Sequence, residues 1–174
     1  MRREVDAALP RMLPVVLFLG LCFGAALARI FLMGQTLVNK PAPEFVREDL
    51  SGKELDLAAF RGKVVLLNFW ATWCAPCQLE MPRFIEWQSE YGPRGFEVIG
   101  ISMDDDPELA RKLCAKLGVN YPVAMGDARI GRLYGGILGL PASFLIDANG
   151  KIRAVYRGET DPKTIETEIN KLLP

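Results

Sequence analysis

The pattern of apolar and polar positions divides residues 44–174 into short segments of alternating type. Two continuous apolar runs rich in Val, Ile and Leu are typical of buried strands, and each precedes a segment with helical character. Two later apolar runs flank Asn149-Gly150, a pair that favours a tight hairpin turn. Asp106-Pro107 and Asp161-Pro162 each predict a helix start with the aspartate as N-cap. The predicted elements are a hairpin (44–57), a helical turn (57–60), a strand (63–69), a helix (74–90), a strand (95–103), a helix (106–117), a short strand about Val123, a short helix (128–134), two strands (142–147 and 151–156) and a final helix (161–173).

This order of elements predicts an α/β fold. A strand, a helix and a second strand in succession are typical of parallel pairing, whereas the late hairpin adds antiparallel strands. The central sheet is therefore expected to be mixed and flanked by helices. The hairpin at 44–57 precedes this unit, and a short insertion divides it. We expect a single domain over residues 44–174.

One apolar run has a different character because it is long enough to span a membrane. Residues 13–33 contain only one charged side chain, Arg29. As a helix these residues would extend over about 31 Å, close to the roughly 30 Å of a bilayer's hydrocarbon core. Arg2, Arg3 and Arg11 precede the run, and such charges favour a cytoplasmic location. Residues 1–12 are therefore expected to be a cytoplasmic tail and residues 13–33 a transmembrane anchor.

A cleaved signal peptide is the alternative interpretation of this run. Ala26-Leu27-Ala28 matches the small-x-small pattern of cleavage sites, although the apolar run exceeds the usual length for such peptides. With the anchor retained, residues 34–43 form a tether and residues 44–174 lie on the far side of the membrane. The predicted location is the periplasmic, extracytoplasmic face of a bacterial inner membrane.

The composition limits the possible chemistry. Equal numbers of basic and acidic residues, 21 of each, give no net charge, so the chain lacks the basic character of nucleic-acid-binding proteins. The sequence contains no histidine. This absence excludes Ser-His-Asp and Cys-His catalysis, the HExxH zinc site and Cys/His zinc fingers.

Cys74 and Cys77 form a Cys-x-x-Cys pair where the predicted strand gives way to a helix. The first turn of a helix has unpaired N–H groups and the positive end of the helix dipole, which stabilise a thiolate. Thiols in this position have pKa values of about 3.5–7.5, compared with about 8.5 for free cysteine. Cys77 lies one turn further along, where fewer N–H groups are free. We therefore expect Cys74 to be the nucleophile and Cys77 the resolving cysteine.

Two other uses of the pair are less favoured. A zinc site needs two more ligands, and the remaining thiols are Cys22, inside the predicted anchor, and Cys114, interpreted as a packing thiol on a helix. A structural disulfide that closes so short a loop removes little chain entropy and stabilises a fold weakly. Redox chemistry is the remaining interpretation. No metal is expected, and no cofactor apart from the Cys74–Cys77 disulfide itself.

The segment WCAPC after KVVLLNF, with Pro82 beyond it, resembles the active-site strand, turn and helix of the thioredoxin fold. Leu140-Pro141 before ASFLID is similar to that family's cis-proline, which implies that both residues face the pair and bind substrate. The anchor, hairpin and insertion resemble the membrane-anchored TlpA/ResA/CcmG-type thiol–disulfide oxidoreductases. The resemblance covers residues 41–173. It implies a thioredoxin-like fold and reduction of disulfides outside the cytoplasm.

Two positions refine the resemblance. Asn68 stands where general thioredoxins have a buried aspartate, and an amide cannot take up a proton. The anchored branch often has a glutamate three residues after the second cysteine, and Glu80 matches that position. We expect Glu80 to be partly buried, with a raised pKa, and to assist proton transfer at Cys77; the alternative is a solvated surface glutamate. Trp73 is expected to shield Cys74 and contact substrate, with a core position as the alternative, whereas Phe69 and Trp70 are assigned to the core.

These features predict a reductase whose partners are disulfide-bearing exported proteins and a membrane electron donor that reduces it again. The resemblance extends the substrates to apocytochrome c during cytochrome c maturation. Two alternatives remain open. A peroxiredoxin-like peroxide reductase is disfavoured because Thr72 lies two residues before Cys74, where that motif requires three. A non-catalytic copper chaperone is disfavoured because the histidine usual in such proteins is missing.

Overall fold

The structure is a computed structural model that describes residues 37–174. The predicted cytoplasmic tail (1–12), the predicted anchor (13–33) and the first residues of the predicted tether lie outside the described residues. Among the helices of residues 37–174, none has the length and apolar character needed to cross a membrane.

A five-stranded mixed sheet forms the centre of the domain, as predicted. Its strand order is β5-β4-β3-β6-β7, with β3, β4 and β5 parallel to one another and β6 and β7 antiparallel to their neighbours. A separate two-stranded hairpin precedes it. The strands are β1 (Val46–Glu48), β2 (Glu54–Asp56), β3 (Val64–Trp70), β4 (Phe96–Ser102), β5 (Val123–Met125), β6 (Ala142–Ile146) and β7 (Ile152–Arg157).

Helices cover both faces of this sheet. Every residue of β3 is buried, as its continuous apolar sequence predicted for a central strand. One buried cluster lies on the face covered by α1, α2 and α4, and a second lies on the face covered by α3 and the N-terminal hairpin. The helices are α1 (Ala75–Tyr91), α2 (Pro107–Leu117), α3 (Ala128–Leu133) and α4 (Pro162–Leu172), with short 3-10 turns at Leu57–Phe60 and Gly92–Arg94.

Aspartate side chains begin the three later helices. The carboxylates of Asp106, Asp127 and Asp161 each accept a hydrogen bond from a backbone N–H in the first turn, which would otherwise lack a partner. Asp106 and Asp161 are the caps predicted from the sequence. Helix α2 ends at Gly118, which has a φ of 70°, a left-handed conformation that glycine adopts without steric cost.

The N-terminal segment differs from prediction at one point. The hairpin of β1 and β2 forms as expected, with Gly52 in its turn. Residues 37–43 were expected to belong to a tether, yet the N–H of Asn39 donates to the carbonyl of Ile152 (2.7 Å) and that of Ala42 to Gly150 (2.9 Å). These backbone bonds attach the segment to the β6–β7 hairpin. The described part of the predicted tether is therefore packed on the domain.

Candidate active site

The end of β3 and the start of α1 place Cys74 at the beginning of a helix, as predicted. Cys74 is the N-cap of α1, and its Sγ accepts a hydrogen bond from the N–H of Cys77 at 3.3 Å. Pro76 occupies the first turn, where its missing N–H costs no helical hydrogen bond. A disulfide joins Cys74 and Cys77, so the structure shows the oxidised pair. This geometry aims an N–H donor and the helix dipole at the Cys74 sulfur.

Both sulfurs belong to residues that are mostly buried. Cys74 is 5% exposed and Cys77 2% exposed, so Cys77 is the more enclosed of the two. Trp73, directly before Cys74, is 71% exposed, which rules out the interpretation of Trp73 as a core residue. Phe69 and Trp70 are fully buried, as predicted. An exposed aromatic side chain therefore precedes a nearly buried disulfide, and the substrate-contacting role of Trp73 remains a prediction.

Pro141 lies at the same end of the sheet as the cysteines. The peptide bond between Leu140 and Pro141 is cis, as the resemblance implied. In the antiparallel pairing of β3 with β6, Phe69 is opposite Ala142, so Pro141 comes next to Trp70 at the end of β3. The substrate-binding role of Leu140 and Pro141 remains a prediction, and the structure gives it a suitable location.

Glu80 is more deeply buried than expected, with only 7% of its surface exposed. It lies in α1 three residues after Cys77, one helical turn further along. Burial raises the pKa of Glu80 to about 7, and the nearby Glu159 carboxylate also raises it, whereas hydrogen bonding with the Thr160 backbone lowers it. The alternative of a solvated surface glutamate is therefore wrong. A carboxyl group that titrates near neutral pH can both release and accept a proton there.

Asn68 lies on the same face of the sheet as α1 but carries no acidic group. Along β3 it lies two residues from both Leu66 and Trp70, so all three side chains are on one face of the sheet. Leu66 and Trp70 pack in the cluster that contains the cysteines. Asn68 is 2% exposed, and its Nδ2 donates to Ser143 Oγ on β6 at 2.9 Å. The position is thus satisfied by a neutral hydrogen bond. Glu80 supplies an acidic group on α1, one helical turn beyond Cys77.

Sequence reasoning missed Asp104 and Gln78, which hold the turn before Cys74. The carboxylate of Asp104 accepts hydrogen bonds from the N–H and the hydroxyl of Thr72, and Gln78 Nε2 donates to the Thr72 carbonyl. Asp104 occurs in the acidic run Asp104–Asp106, of which only Asp106 was interpreted. No signal in the sequence distinguishes Asp104 from its two neighbours.

Cys114 is a free thiol on α2, as predicted, and it is half-buried. Burial, and secondly the charge of Asp104, raises the pKa of Cys114 to about 11. A thiol with so high a pKa is almost wholly protonated at neutral pH and is a poor nucleophile. Across residues 37–174, no three Cys, Asp or Glu side chains converge as a set of metal ligands.

Comparisons with known proteins agree with this geometry. The model of the AhpC/TSA family matches residues 38–155. The chain belongs to the AhpC/TSA family. Within this thioredoxin-fold family it is 38% identical over 138 residues to the thiol-disulfide oxidoreductase ResA of Bacillus thuringiensis, covering 79% of each chain. It is 30% identical over 164 residues to ResA of Bacillus subtilis, covering 87% of this chain and 91% of that protein.

Similarity to a solved structure agrees with this family assignment. The crystal structure of a thiol:disulfide interchange protein of the thioredoxin family from Chlorobium tepidum matches with a TM-score of 0.71 and 32% identity. The match covers 76% of this chain and 94% of that one. The predicted thioredoxin-like fold is thereby confirmed, and the enzyme is a thiol–disulfide oxidoreductase of the ResA type with Cys74 and Cys77 as its Cys-x-x-Cys pair.

Proposed function

We propose that the enzyme reduces disulfides of exported proteins outside the cytoplasm, with Cys74 as the attacking thiolate. The observation that carries this proposal is the position of Cys74 as the N-cap of α1, with its sulfur accepting the Cys77 N–H. That hydrogen bond and the helix dipole favour the negatively charged sulfur in the reduced enzyme. A stabilised thiolate at Cys74 is the form that attacks a disulfide.

The reaction transfers two electrons in two exchange steps. The Cys74 thiolate attacks one sulfur of the substrate disulfide, forms a mixed disulfide and releases the first substrate thiolate. The Cys77 thiolate then attacks Cys74 Sγ, forms the intramolecular disulfide and releases the second substrate thiolate. The disulfide in the structure is the product of this second step. The substrate thiolates take up two protons, which balance those lost by Cys74 and Cys77.

Glu80 serves the second step. Cys77 is the more buried cysteine, and a buried thiol loses its proton less readily than an exposed one. The Glu80 carboxylate, one turn along α1, accepts that proton as Cys77 attacks. Its pKa of about 7 matches this task, because a general base works best when its pKa lies near the operating pH.

The N-terminal run supports the proposed location. Residues 13–33 have the length and polarity of a membrane anchor, and three arginines precede them. With the tail in the cytoplasm, the domain acts on proteins that have crossed the membrane, where disulfides persist. Apocytochrome c, whose haem-binding cysteines must be reduced, is the proposed substrate among these exported proteins. A membrane electron donor reduces the Cys74–Cys77 disulfide again after each cycle.

The hydroxyl of Thr72 favours this proposal over peroxide reduction. It donates to Asp104 at 2.7 Å, so it is not directed at the Cys74 sulfur, where a peroxide would have to be held. A peroxidase assay of the reduced enzyme is expected to give no turnover above that of the Cys74→Ser variant.

The reduction potential of the Cys74–Cys77 pair tests the direction of the reaction. We expect a value below about −230 mV, in the range of reductants such as thioredoxin, when the full-length chain is equilibrated with glutathione buffers. The reduced fraction is measured by alkylation and mass spectrometry. A potential near about −120 mV, the value of a strong oxidant, would show that the enzyme forms disulfides.

A further inference from the structure

The turn between β3 and α1 is held from two sides through a single residue, Thr72. Its N–H donates to both carboxylate oxygens of Asp104, at 3.1 and 2.9 Å, and its hydroxyl donates to Asp104 Oδ1 at 2.7 Å. Its carbonyl accepts from Gln78 Nε2 at 2.6 Å. The N–H of Cys74 donates to the Ala71 carbonyl at 3.2 Å and closes the turn. All the polar groups of Thr72 are therefore engaged directly before the active-site pair.

Asp104 is itself held firmly although no cation among residues 37–174 forms an ion pair with it. It is 6% exposed, and Ser102 Oγ donates to its Oδ2 at 2.8 Å. None of the ion pairs among residues 37–174 includes Asp104. Asp105 and Asp106, the next two residues, are exposed. A buried carboxylate is retained only when several donors satisfy it, and here they come from Thr72 and Ser102.

We propose that Asp104 is a positioning residue for disulfide exchange. It fixes the turn that presents Cys74, and its buried charge raises the free energy of the Cys74 thiolate relative to that of the thiol. The first part follows from the hydrogen bonds, because Thr72 and Cys74 are only two residues apart. Two residues of chain span about 7 Å at most, so a displaced Thr72 moves the sulfur. A Cys74 sulfur out of line with the substrate disulfide reacts more slowly.

The second part follows from charge and burial. A carboxylate within a few ångströms of the turn opposes a negative charge on Cys74, and solvent screens a buried pair less than an exposed one. Cys114 on α2 already responds to this charge, since Asp104 is the second cause of its raised pKa. Destabilising the thiolate makes the dithiol give up its electrons more readily. Asp104 therefore offsets part of the stabilisation that the helix start provides.

The effect of Asp104 on Cys74 must be distinguished from the effects of the other titratable groups around the Cys74–Cys77 pair. Glu80 lies on α1, Glu159 lies in the loop between β7 and α4 where it raises the pKa of Glu80, and Cys114 lies on α2. Mass spectrometry of alkylated peptides follows each cysteine separately, so Cys74 is distinguished from Cys77 and Cys114. Glu80 and Glu159 are unchanged in every variant compared.

The charge is tested with Asp104→Asn in the reduced full-length chain. Asparagine can still accept from the Thr72 N–H, so the substitution removes the charge while the turn can persist. We expect the alkylation profile of Cys74 to move about one unit lower in pH, a tenfold change in the thiol–thiolate ratio. The reduction potential should become less negative by up to about 30 mV, the equivalent of a tenfold change. Asp105→Asn removes an exposed charge from the next residue and should change neither value.

The positioning role is tested with Thr72→Val, which removes the hydroxyl but keeps the backbone donor and the Asp104 charge. We expect the rate of insulin disulfide reduction to fall about threefold to tenfold, the effect of one buried hydrogen bond, while the alkylation profile of Cys74 stays unchanged. An Asp104→Asn protein that is folded by circular dichroism and keeps the wild-type Cys74 profile would overturn the charge effect, as would an equal shift in Asp105→Asn. If Asp104→Asn does not fold, a wild-type rate in Thr72→Val overturns the proposal.

Discussion

Cys74→Ser is expected to abolish disulfide reduction, with a loss of more than about a thousandfold in kcat/KM. A serine hydroxyl at this position cannot form a mixed disulfide, and the remaining Cys77 has no partner thiol with which to form the intramolecular disulfide that releases two electrons to the substrate. Cys77 alone is also a weak substitute as nucleophile, because it is only 2% exposed and lacks the N-cap position. The measurement is insulin reduction with the full-length chain, under conditions where an added reductant regenerates the enzyme.

Cys114→Ser is the matched control for the loss of a thiol. Cys114 is half-buried on α2, and its raised pKa keeps it protonated at neutral pH, so its removal should leave the rate within about twofold of the wild type. Activity in Cys74→Ser above about a tenth of the wild-type value would contradict the assignment of the nucleophile. A loss in Cys114→Ser as large as that in Cys74→Ser would contradict it as well.

Glu80→Gln is expected to remove the pH dependence of the second exchange step near neutrality. In the wild-type enzyme the rate should rise with pH through about 7, because Glu80 becomes an ionised base over that range. Glutamine fits the same space but takes up no proton, so the variant should lose this rise and be about tenfold to a hundredfold slower at pH 8. Single-turnover decay of a preformed mixed disulfide at Cys74, followed across pH, measures this step directly.

The same substitution, which should lower the rate, should raise the stability of the folded protein at pH 8. The folded-state pKa of Glu80 is about 7, above its value of 4.5 outside the protein, so the folded state binds the extra proton between these pH values. Stability contributed by the protonated form is complete below about pH 4.5 and is lost as the pH rises through 7. The free energy of unfolding of Glu80→Gln should therefore exceed that of the wild type by about 2–3 kcal/mol at pH 8, with little difference near pH 4.

Denaturant unfolding of the oxidised protein at pH 4 and pH 8 provides this comparison. Glu90→Gln is the control, since Glu90 is an exposed residue of the same helix and its substitution should have little effect at either pH. A Glu80→Gln protein that is slower but equally stable at both pH values would contradict the buried carboxyl with a raised pKa. A variant that is more stable at pH 8 but retains the wild-type pH–rate profile would contradict the proton-transfer role only.

Local sequence signals were sufficient to predict most elements and the reactive pair. The apolar run before Cys74, the Asp-Pro starts of two helices and the Asn149-Gly150 turn each act over a few residues, so a sequence carries them directly. Glu80 was also accessible, because it matches the glutamate position of the family branch that the sequence resembles, and its spacing from Cys77 places it one helical turn away. The degree to which Glu80 is buried could not be predicted, since it depends on the loop between β7 and α4, which is far away in the sequence.

Contacts between distant residues could not be predicted in this way. The bond from Thr72 to Asp104 joins residues 32 positions apart, and that from Asn68 to Ser143 joins residues 75 apart. Three consecutive aspartates appear equivalent in the sequence, yet only Asp104 turns inward beneath the active-site turn. Likewise, residues 37–43 contain two prolines and resemble a tether, and only their pairing with the β6–β7 hairpin shows that they belong to the domain.

Capture of substrates by Cys77→Ser is the most direct test of the proposed function. Without the resolving thiol, a mixed disulfide on Cys74 persists and can be purified with the full-length protein from membranes of the producing cells. Mass spectrometry is expected to identify exported proteins joined to Cys74, with apocytochrome c haem-binding cysteines among them, and none in the Cys74→Ser, Cys77→Ser double variant. Captured proteins confined to the cytoplasm, or equal capture in the double variant, would contradict an extracytoplasmic reductase that attacks through Cys74.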